Sequence, residues 1–320
     1  MSPPLRIDVF NGDADGLCAL QQLRLHEPVS AQLITGVKRD IRLLARIPEC
    51  SGAHITVLDI SLEVNREALL LLLRDNHVRY FDHHFAGTLP ESPQFEAHIN
   101  TDPEVCTSSL VDAHLHGSAR LWAIAGAFGD NQHALAQQLA ASRNLNPSEV
   151  SRLQEVGELL NYNGYGETLA DLMYAPEQLF HELHPFDNPL EFARTSEAIP
   201  RLRDALASDL KNARSRAPEL ESAAVGVFRF PDEAWGRRVA GIFSNEQTRQ
   251  HPDRAMALLV ENEKGGVLVS VRAPLSNPRE ADTLCRRFGG GGRSKAAGIN
   301  HLPSERVPEF LDAFREIYER

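Results

Sequence analysis

The stretch LRIDVFNGDADGLCALQQL, residues 5–23, begins with the apolar pattern of a buried strand and continues with that of a helix. Between these two patterns stand Asp13 and Asp15, with one residue separating them. Two neighbouring carboxylates repel each other, and two explanations account for their placement here. Asn-Gly and Asp-Gly pairs favour a plain turn, whereas a bound cation would neutralise both charges.

The first hundred residues alternate between strand-like and helical patterns, which predicts a parallel sheet with helices on both faces. Strands are predicted over 5–10, 31–37, 55–61, 77–82 and 96–100, and helices over 16–27 and 64–75. In such sheets the ligand crevice lies at the carboxyl ends of the strands. Acidic residues and histidines occur at or just after three of these ends: Asp13, Asp15, Asp59, Asp82, His83 and His84. This coincidence favours a site over a set of unrelated turns.

The remaining chain predicts two further parts. Residues 107–183 have mostly helical patterns, and a charged helical segment follows. Strand and helix patterns then alternate again, with a hairpin and a final amphipathic helix. We predict an α/β protein with a metal-binding domain at 1–190, a helical linker at 191–218 and a smaller α/β substrate-binding domain at 219–320. The active-site cleft is expected between the two domains.

Composition narrows the class of partner. The 320 residues carry a formal net charge of −11, whereas proteins that follow long nucleic acids usually present a basic face. We therefore expect a small anionic substrate rather than long duplex DNA. No apolar run is long enough to span a membrane, and the N-terminal residues lack a signal-peptide pattern. The four cysteines are scattered without a CxxC pair, which indicates reduced thiols and a cytoplasmic location.

Two motifs carry most of the chemistry. The first is YFDHHFAG, residues 80–87, in which polar residues follow a strand that is predicted to be buried. Imidazoles suit Mn, Zn or Fe, carboxylates suit Mg and Mn, and mixed Asp/His sets that bridge two ions are typical of phosphoester hydrolysis. Asp59 and Asp130, each at the end of a predicted element, fit the same set. Alone, each is more simply read as a helix cap or a loop acid.

The second motif is FGGGGRSKAAGI, residues 288–299. Its glycines are expected to leave backbone N–H groups free to face an anion, with a helix beginning at Ser294. Arg293 could bind a phosphate through its guanidinium.

Taken in order, DADG, Asp59, DHH, Asp130 and GGG…AAG resemble the DHH phosphoesterase family with its DHH-associated C-terminal domain. This family includes single-strand exonucleases, oligoribonucleases, cyclic-dinucleotide phosphodiesterases and exopolyphosphatases. The resemblance implies two Mn²⁺ ions, with Mg²⁺ as the other candidate, and a water activated between them as nucleophile.

The resemblance also implies residue roles. The metal ligands would be Asp13, Asp15, Asp59, His83 and Asp130, with Asp59 bridging both ions. His84 would face the scissile phosphate, and Asp82 would orient the histidines. The substrate would contact Gly290, Gly291, Gly292, Arg293, Arg272 and Ser108. Ser108 also begins a predicted helix that it could cap.

The sequence departs from the family pattern at three positions. Val9 and Asn11 stand where many members carry a histidine or an aspartate, so one ion is expected to be held more weakly, with Asn11 as a supporting residue. Arg293 replaces the histidine of the family's GGGH motif, which keeps a phosphate donor but changes its geometry.

We therefore expect a Mn-dependent phosphodiesterase that acts on short oligonucleotides or dinucleotides. Two alternatives stay open: an exopolyphosphatase-like phosphoanhydride hydrolase, and a degenerate nucleotide-binding module without catalysis. The sequence does not fix the oligomeric state, and a homodimer is compatible with it.

Overall fold

A computed structural model describes residues 4–319, so the outermost residues of the predicted domains, 1–3 and 320, lie outside it. The chain divides into two compact units between Asp204 and Ala205. This division falls within one long helix, Ala198–Arg214, inside the segment predicted as a linker.

The first unit contains a five-stranded sheet in which every pair of neighbouring strands is parallel, as predicted. Its strands are β1 (Arg6–Asn11), β2 (Gln32–Gly36), β3 (His54–Leu58), β4 (His77–Asp82) and β5 (Phe95–Ile99). The order across the sheet is β2-β1-β3-β4-β5. The chain moves from β1 to one side and then returns to the other side with β3. The strand order therefore reverses between β1 and β3, and such switch points are where open α/β sheets bind ligands.

Helices account for most of the rest of this unit. They are α1 (Ala14–His26), α2 (Leu62–Leu72), α3 (Thr107–His114), α4 (Arg120–Gly129), α5 (His133–Ser142), α6 (Pro147–Gly164), α7 (Pro176–Leu183) and α8 (Pro189–Thr195), together with the first part of α9 (Ala198–Arg214), which continues into the second unit. Helix α2 buries its apolar side against one face of the sheet, in a core that includes Ile7, Val9 and Leu69. Helix α1 packs with α3, α4 and α6 on other surfaces of the unit.

Small residues in α4 allow it to approach α1 and α3 closely. A Cβ atom built on Gly129 would lie 2.3 Å from the Cβ of Ala14, and one built on Gly126 would lie 2.2 Å from Ser108 Oγ. Neither position has room for a larger residue. This close packing fixes the C-terminal end of α4, and therefore Asp130, against the beginning of α1.

A buried ion pair anchors β1 to α1. Arg24 donates from Nε and Nη2 to the two carboxylate oxygens of Asp8, each at 2.7 Å, and also from Nη2 to Thr56 Oγ1 at 3.3 Å. Both paired side chains are almost fully buried. A bidentate pair of this kind has strict geometry, so it fixes how α1 lies against the sheet.

The second unit contains a six-stranded sheet in the order β10-β11-β9-β8-β7-β6. Its elements are β6 (Leu220–Glu221), β7 (Val225–Phe230), α10 (Ala234–Gln250), β8 (Ala255–Asn262), β9 (Gly266–Arg272), α11 (Ala281–Arg287), β10 (Gly291–Arg293), β11 (Ala296–Pro303) and α12 (Val307–Tyr318). The pair β7–β8 is parallel and the other pairs are antiparallel. Strands β8 and β9 form the predicted hairpin, and α12 packs its apolar side into the core of this unit.

The prediction of a helix beginning at Ser294 is wrong. The glycine run turns into β10, which pairs with β11 after a tight turn, and the first N–H of α11, that of Ala281, donates to the carbonyl of Ser294 in that turn. The backbone N–H groups of Gly289 and Gly290 are also occupied, because they close the end of α11 by donating to the carbonyls of Arg286 and Cys285. A Cβ on Gly292 would lie 2.5 Å from Ala297 Cα, at a φ of +142°. Close strand pairing therefore explains part of the glycine run.

Arg272, another of the residues expected to contact substrate, lies in the same sheet as the glycine run. Arg272 ends β9, which lies between β8 and β11 in the interior of the sheet. The register places Arg272 opposite Ala296, and Ala296 opposite Arg293. Directly opposed residues of antiparallel strands share a face, so the two arginines lie in one row on either side of a small alanine.

All four cysteines are free, and three of them, Cys18, Cys106 and Cys285, are buried. Within residues 4–319, every helix is too short or too polar to cross a bilayer.

Loss of the buried Asp8–Arg24 ion pair should destabilise the first unit more than loss of an exposed ion pair. Replacing Arg24 with Met leaves the Asp8 carboxylate buried without its partner, which typically costs about 3–5 kcal/mol. Urea unfolding of the first unit measures this loss through Trp122 fluorescence in a Trp235→Phe background. The matched control is Arg152→Met, because Arg152 forms a partly exposed pair with Glu155 at 3.8 Å, worth about 1 kcal/mol or less. Equal losses in the two variants would contradict the structural role of Asp8–Arg24.

Candidate metal centre

Polar residues gather at the carboxyl edge of the first sheet, around the switch point. Strand β1 leads to Asp13 and Asp15, β3 leads to Asp59, and β4 ends at Asp82 and leads to His83 and His84. Asp13, Asp15, Asp59 and Asp82 are each no more than 2% exposed. Asp130 reaches the same region from the C-terminal end of α4.

Asp13 is held from two sides. Its Oδ1 accepts hydrogen bonds from the backbone N–H groups of Asp15 and Gly16 and so caps α1. Its Oδ2 lies 2.6 Å from Nζ of Lys38. Burial acts to raise the pKa of Asp13, but the charge and hydrogen bond of Lys38 outweigh it and the pKa is lowered. Asp13 is therefore the buried partner of an ion pair whose lysine side chain is 26% exposed.

Asp15 is held by the beginning of α3. The backbone N–H of Thr107 donates to Oδ2 and that of Ser108 donates to Oδ1, each at 2.7 Å. The hydroxyl of Ser108 donates to the backbone carbonyl of Asp15. Because these donors of the fully buried Ser108 are used in this way, the residue positions Asp15, and we assign it no contact with substrate.

Asp59 stands in left-handed backbone, with a φ of +59°. Aspartate and asparagine adopt this conformation more readily than most other residues, and its occurrence at a buried polar position is often associated with function. The backbone N–H of Asp59 donates to the carbonyl of Phe81, and its Oδ1 accepts from the Thr107 hydroxyl at 3.0 Å. Burial and the charges of Asp15 and Asp13 raise the pKa of Asp59 well above its usual value.

The ring of His83 has a defined orientation. Its Nδ1 lies 2.8 Å from the backbone carbonyl of Val105, which accepts the Nδ1 proton. In the neutral ring, the lone pair is then on Nε2. This atom lies 3.6 Å from Asp59 Oδ1 and 3.8 Å from Asp130 Oδ2. A neutral imidazole fixed by a backbone carbonyl is a common arrangement for a metal ligand.

His84 is oriented by Asp82. Its Nδ1 lies 2.7 Å from Asp82 Oδ1, and 45% of its side chain is exposed. Burial alone would lower the pKa of His84, but the hydrogen bond and charge of Asp82 raise it overall. The arrangement leaves Nε2 of His84 available as a donor at the edge of the cluster.

The cluster carries more negative charge than its own side chains neutralise. Burial and the charge of Asp15 raise the pKa of Asp130 to about 7, even though Lys38 and His83 act in the opposite direction. Raised pKa values on buried carboxyls indicate a site that a cation would stabilise.

The residues present fit a divalent cation. Ligand atoms of Asp15, His83 and Asp130 lie within 4.8 Å of one another, and so do those of Asp59, His83 and His84. Two buried oxygens, Asn11 Oδ1 and Asp82 Oδ2, have no hydrogen-bond partner in the described part of the chain. Carboxylate oxygens with one or two imidazoles suit Mn²⁺.

The predicted substrate-binding residues of the glycine motif belong to the second unit. Gly290 precedes β10, Gly291 and Gly292 lie in it, and Arg293 ends it. Arg293 is exposed, whereas Arg272 is half-buried and donates to Asn245 Oδ1 and Ser270 Oγ. The structure brings these two arginines into one row, as the register shows.

Sequence reasoning missed two residues near the metal cluster. Lys38 follows β2 by two residues, so it lies at the same edge of the sheet as the aspartates, and that position was the available signal. Phe85 directly follows the DHH motif and is 72% exposed. The sequence gives no signal for this exposure, because a phenylalanine after a strand is usually buried.

Comparison with known proteins agrees with this picture. Residues 222–320 match the DHHA1 domain. No curated protein matches the chain in sequence. Exonuclease RecJ bound to manganese is similar in structure, with a TM-score of 0.62 and 17% identity over 98% of this chain and 90% of that chain.

Two further solved structures have the same fold. The pGpG-specific phosphodiesterase PggH from Vibrio cholerae has a TM-score of 0.56 and 13% identity over 97% of both chains. CDC45 from Entamoeba histolytica has a TM-score of 0.52 and 9% identity over 99% of this chain and 96% of that chain. The predicted resemblance is confirmed, since the chain has the fold of DHH-family proteins and its residues 222–320 form a DHHA1 domain.

Proposed function

We propose that this protein is a metal-dependent phosphodiesterase that hydrolyses short oligonucleotides or dinucleotides. One observation carries the proposal: buried carboxylates and an oriented histidine converge at the switch point of a parallel sheet, with more negative charge than Lys38 offsets. The fold adds support, because RecJ is an exonuclease solved with manganese and PggH acts on pGpG.

The first unit supplies the reaction centre. Asp15, Asp59, His83 and Asp130 would hold the cation, for which we propose Mn²⁺. When bound, such an ion supplies Lewis acidity toward a water and a phosphate oxygen. The carbonyl of Val105 keeps the Nε2 lone pair of His83 directed at this position.

His84 and Asp82 would act on the substrate from the edge of the cluster. The hydrogen bond between them holds the His84 ring in place, so that Nε2 can donate to an oxygen of the scissile phosphate. A donor that is already oriented stabilises developing charge at little reorganisation cost. Asp82 is completely buried and acts through His84 as a positioning residue.

Two features favour a nucleotide over polyphosphate. Phe85 presents an exposed aromatic ring directly after His84, and its backbone carbonyl is held by the Ser61 hydroxyl. Bases stack on such rings, whereas a polyphosphate chain has no aromatic face. The net charge of −11 further favours a short substrate with few phosphate contacts.

Arg293 and Arg272 are proposed to bind a phosphate other than the scissile one. They share one row of the second sheet, and Arg293 is exposed. Guanidinium groups bind phosphate with two parallel hydrogen bonds. The first half of the glycine run would support this row rather than bind the anion, because its N–H groups at Gly289 and Gly290 are occupied.

The first test is a substrate screen with the purified full chain and Mn²⁺. The substrates are pGpG, pApA, a 5-mer and a 24-mer of RNA and DNA, cyclic dinucleotides and polyphosphate, and linear dinucleotides should be hydrolysed fastest. Asp59→Asn should lower the rate at least about a hundredfold, because a ligand charge is worth several kcal/mol. Its control is Asp75→Asn, an exposed carboxylate of the same unit. Hydrolysis of polyphosphate alone would favour the phosphoanhydride alternative, and intact activity in Asp59→Asn would contradict the metal assignment.

Phe85→Ala separates base recognition from phosphate chemistry. Loss of one stacking surface costs about 1–3 kcal/mol, so kcat/KM for pGpG should fall about five- to a hundredfold. Bound Mn²⁺ should equal that of wild type, because Phe85 is not among the proposed ligands of the cation. Leu89→Ala, at another exposed apolar position of the same segment, is the matched control. An unchanged rate with pGpG would remove Phe85 from substrate binding.

Arg293→Ala tests the remote phosphate. A charge-assisted hydrogen bond contributes about 1.5–3 kcal/mol, so kcat/KM for pGpG should fall about ten- to a hundredfold. Arg293→Lys should recover part of this loss, since the charge returns without the planar guanidinium. The dinucleotide without its terminal phosphate should be a poor substrate for wild type and nearly insensitive to the mutation. Equal losses on both substrates would show that Arg293 does not bind that phosphate.

A further inference from the structure

Lys38 introduces a fixed positive charge into the metal centre. It follows β2, and its backbone is held on both sides: its N–H donates to the carbonyl of Gly164 at 2.9 Å, and its own carbonyl accepts from Asn11 Nδ2 at 3.4 Å. Its ammonium lies 2.6 Å from Asp13 Oδ2 and 3.0 Å from Asn161 Oδ1. The ring of Tyr165 lies beside it, with its centroid 5.4 Å from Nζ.

Backbone N–H groups bind the carboxylates of both Asp13 and Asp15, but only Asp13 also contacts an ammonium. Oδ1 of Asp13 accepts two backbone N–H groups and Oδ2 contacts the ammonium. A metal ion on Oδ2 would place a divalent charge against the Lys38 ammonium on the same oxygen, and like charges at such a distance repel strongly. Asp13 is therefore engaged as the partner of Lys38.

The remaining donors describe a single position for an ion. The two groups of ligand atoms, one with Asp15 and Asp130 and one with Asp59 and His84, share His83. The Nδ1 of His83 is committed to the carbonyl of Val105, so that this residue offers one lone pair, on Nε2. One lone pair binds one ion. Both groups thus converge on the same place.

We infer that the Lys38 ammonium takes the place of a second metal ion, so that this centre holds one divalent cation, at Nε2 of His83 with Asp59, Asp130 and Asp15. The inference rests on the proposed hydrolase function and deepens it. It departs from the sequence-based expectation of two ions with Asp13 among their ligands. Asn11 agrees with it, because an amide at this position adds no negative charge that would call for another cation.

The test measures bound manganese in the full chain. Protein dialysed against MnCl₂ is assayed for metal by elemental analysis, and its EPR spectrum is recorded. Wild type should bind one ion per chain and give the six-line spectrum of an isolated Mn(II). Lys38→Met should bind a second ion and give the broadened signal of a coupled pair, because Asp13 loses its ammonium partner. Lys38→Arg keeps the charge and should stay at one ion.

Lys211→Met is the matched control, since Lys211 is exposed on the last turn of α9, and it should leave both readouts unchanged. Two ions in wild type would overturn the inference and leave the hydrolase function standing. One ion in both wild type and Lys38→Met would also overturn it. Absence of bound manganese from every variant would overturn the proposed function as well. If Lys38→Met fails to fold, two ions in wild type would still overturn the inference.

Discussion

Repulsion among buried carboxylates is the constraint on which the first unit depends. Parallel strands end at one edge of a sheet, so β1, β3 and β4 bring their acidic residues together there. The chain offsets part of this charge with its own groups: the N-terminal amides of α1 bind Asp13, those of α3 bind Asp15, and Lys38 completes a pair with Asp13. Amides at helix N-termini favour negative charge. The negative charge that these groups do not offset lies at Asp59 and Asp130, where the cation is proposed to bind.

The architecture of the first unit could be predicted because its signal is local. All five strands and helices α1 and α2 were predicted from apolar periodicity, and the polar residues that follow the strands already pointed to a shared edge. The contacts within that edge could not be predicted in the same way. Whether Ser108 binds substrate or holds Asp15 depends on how closely α3 packs against α1 and α4, and Gly126 of α4 allows this packing because a Cβ there would lie 2.2 Å from Ser108 Oγ.

Two errors have identifiable physical causes. Lys38 was overlooked because a lysine after a strand normally extends into solvent, and only the fold places it against Asp13, whose sequence position is 25 residues earlier. The helix expected at Ser294 was inferred from the resemblance of a glycine run to a phosphate-binding loop. The small residues at 289–292 instead serve the end of α11 and the close pairing of β10 with β11, for which glycine is equally suited.

The left-handed backbone of Asp59 restricts which residues natural or laboratory variation can place there. Bulky and β-branched residues would strain the turn between β3 and α2 before any loss of ligand charge is considered. Inactive variants at this position therefore mix two effects, a displaced turn and a missing carboxylate. Asparagine removes the charge while keeping a side chain that tolerates this backbone, so it is the substitution suited to preparing a folded, inactive form for trapping a bound substrate.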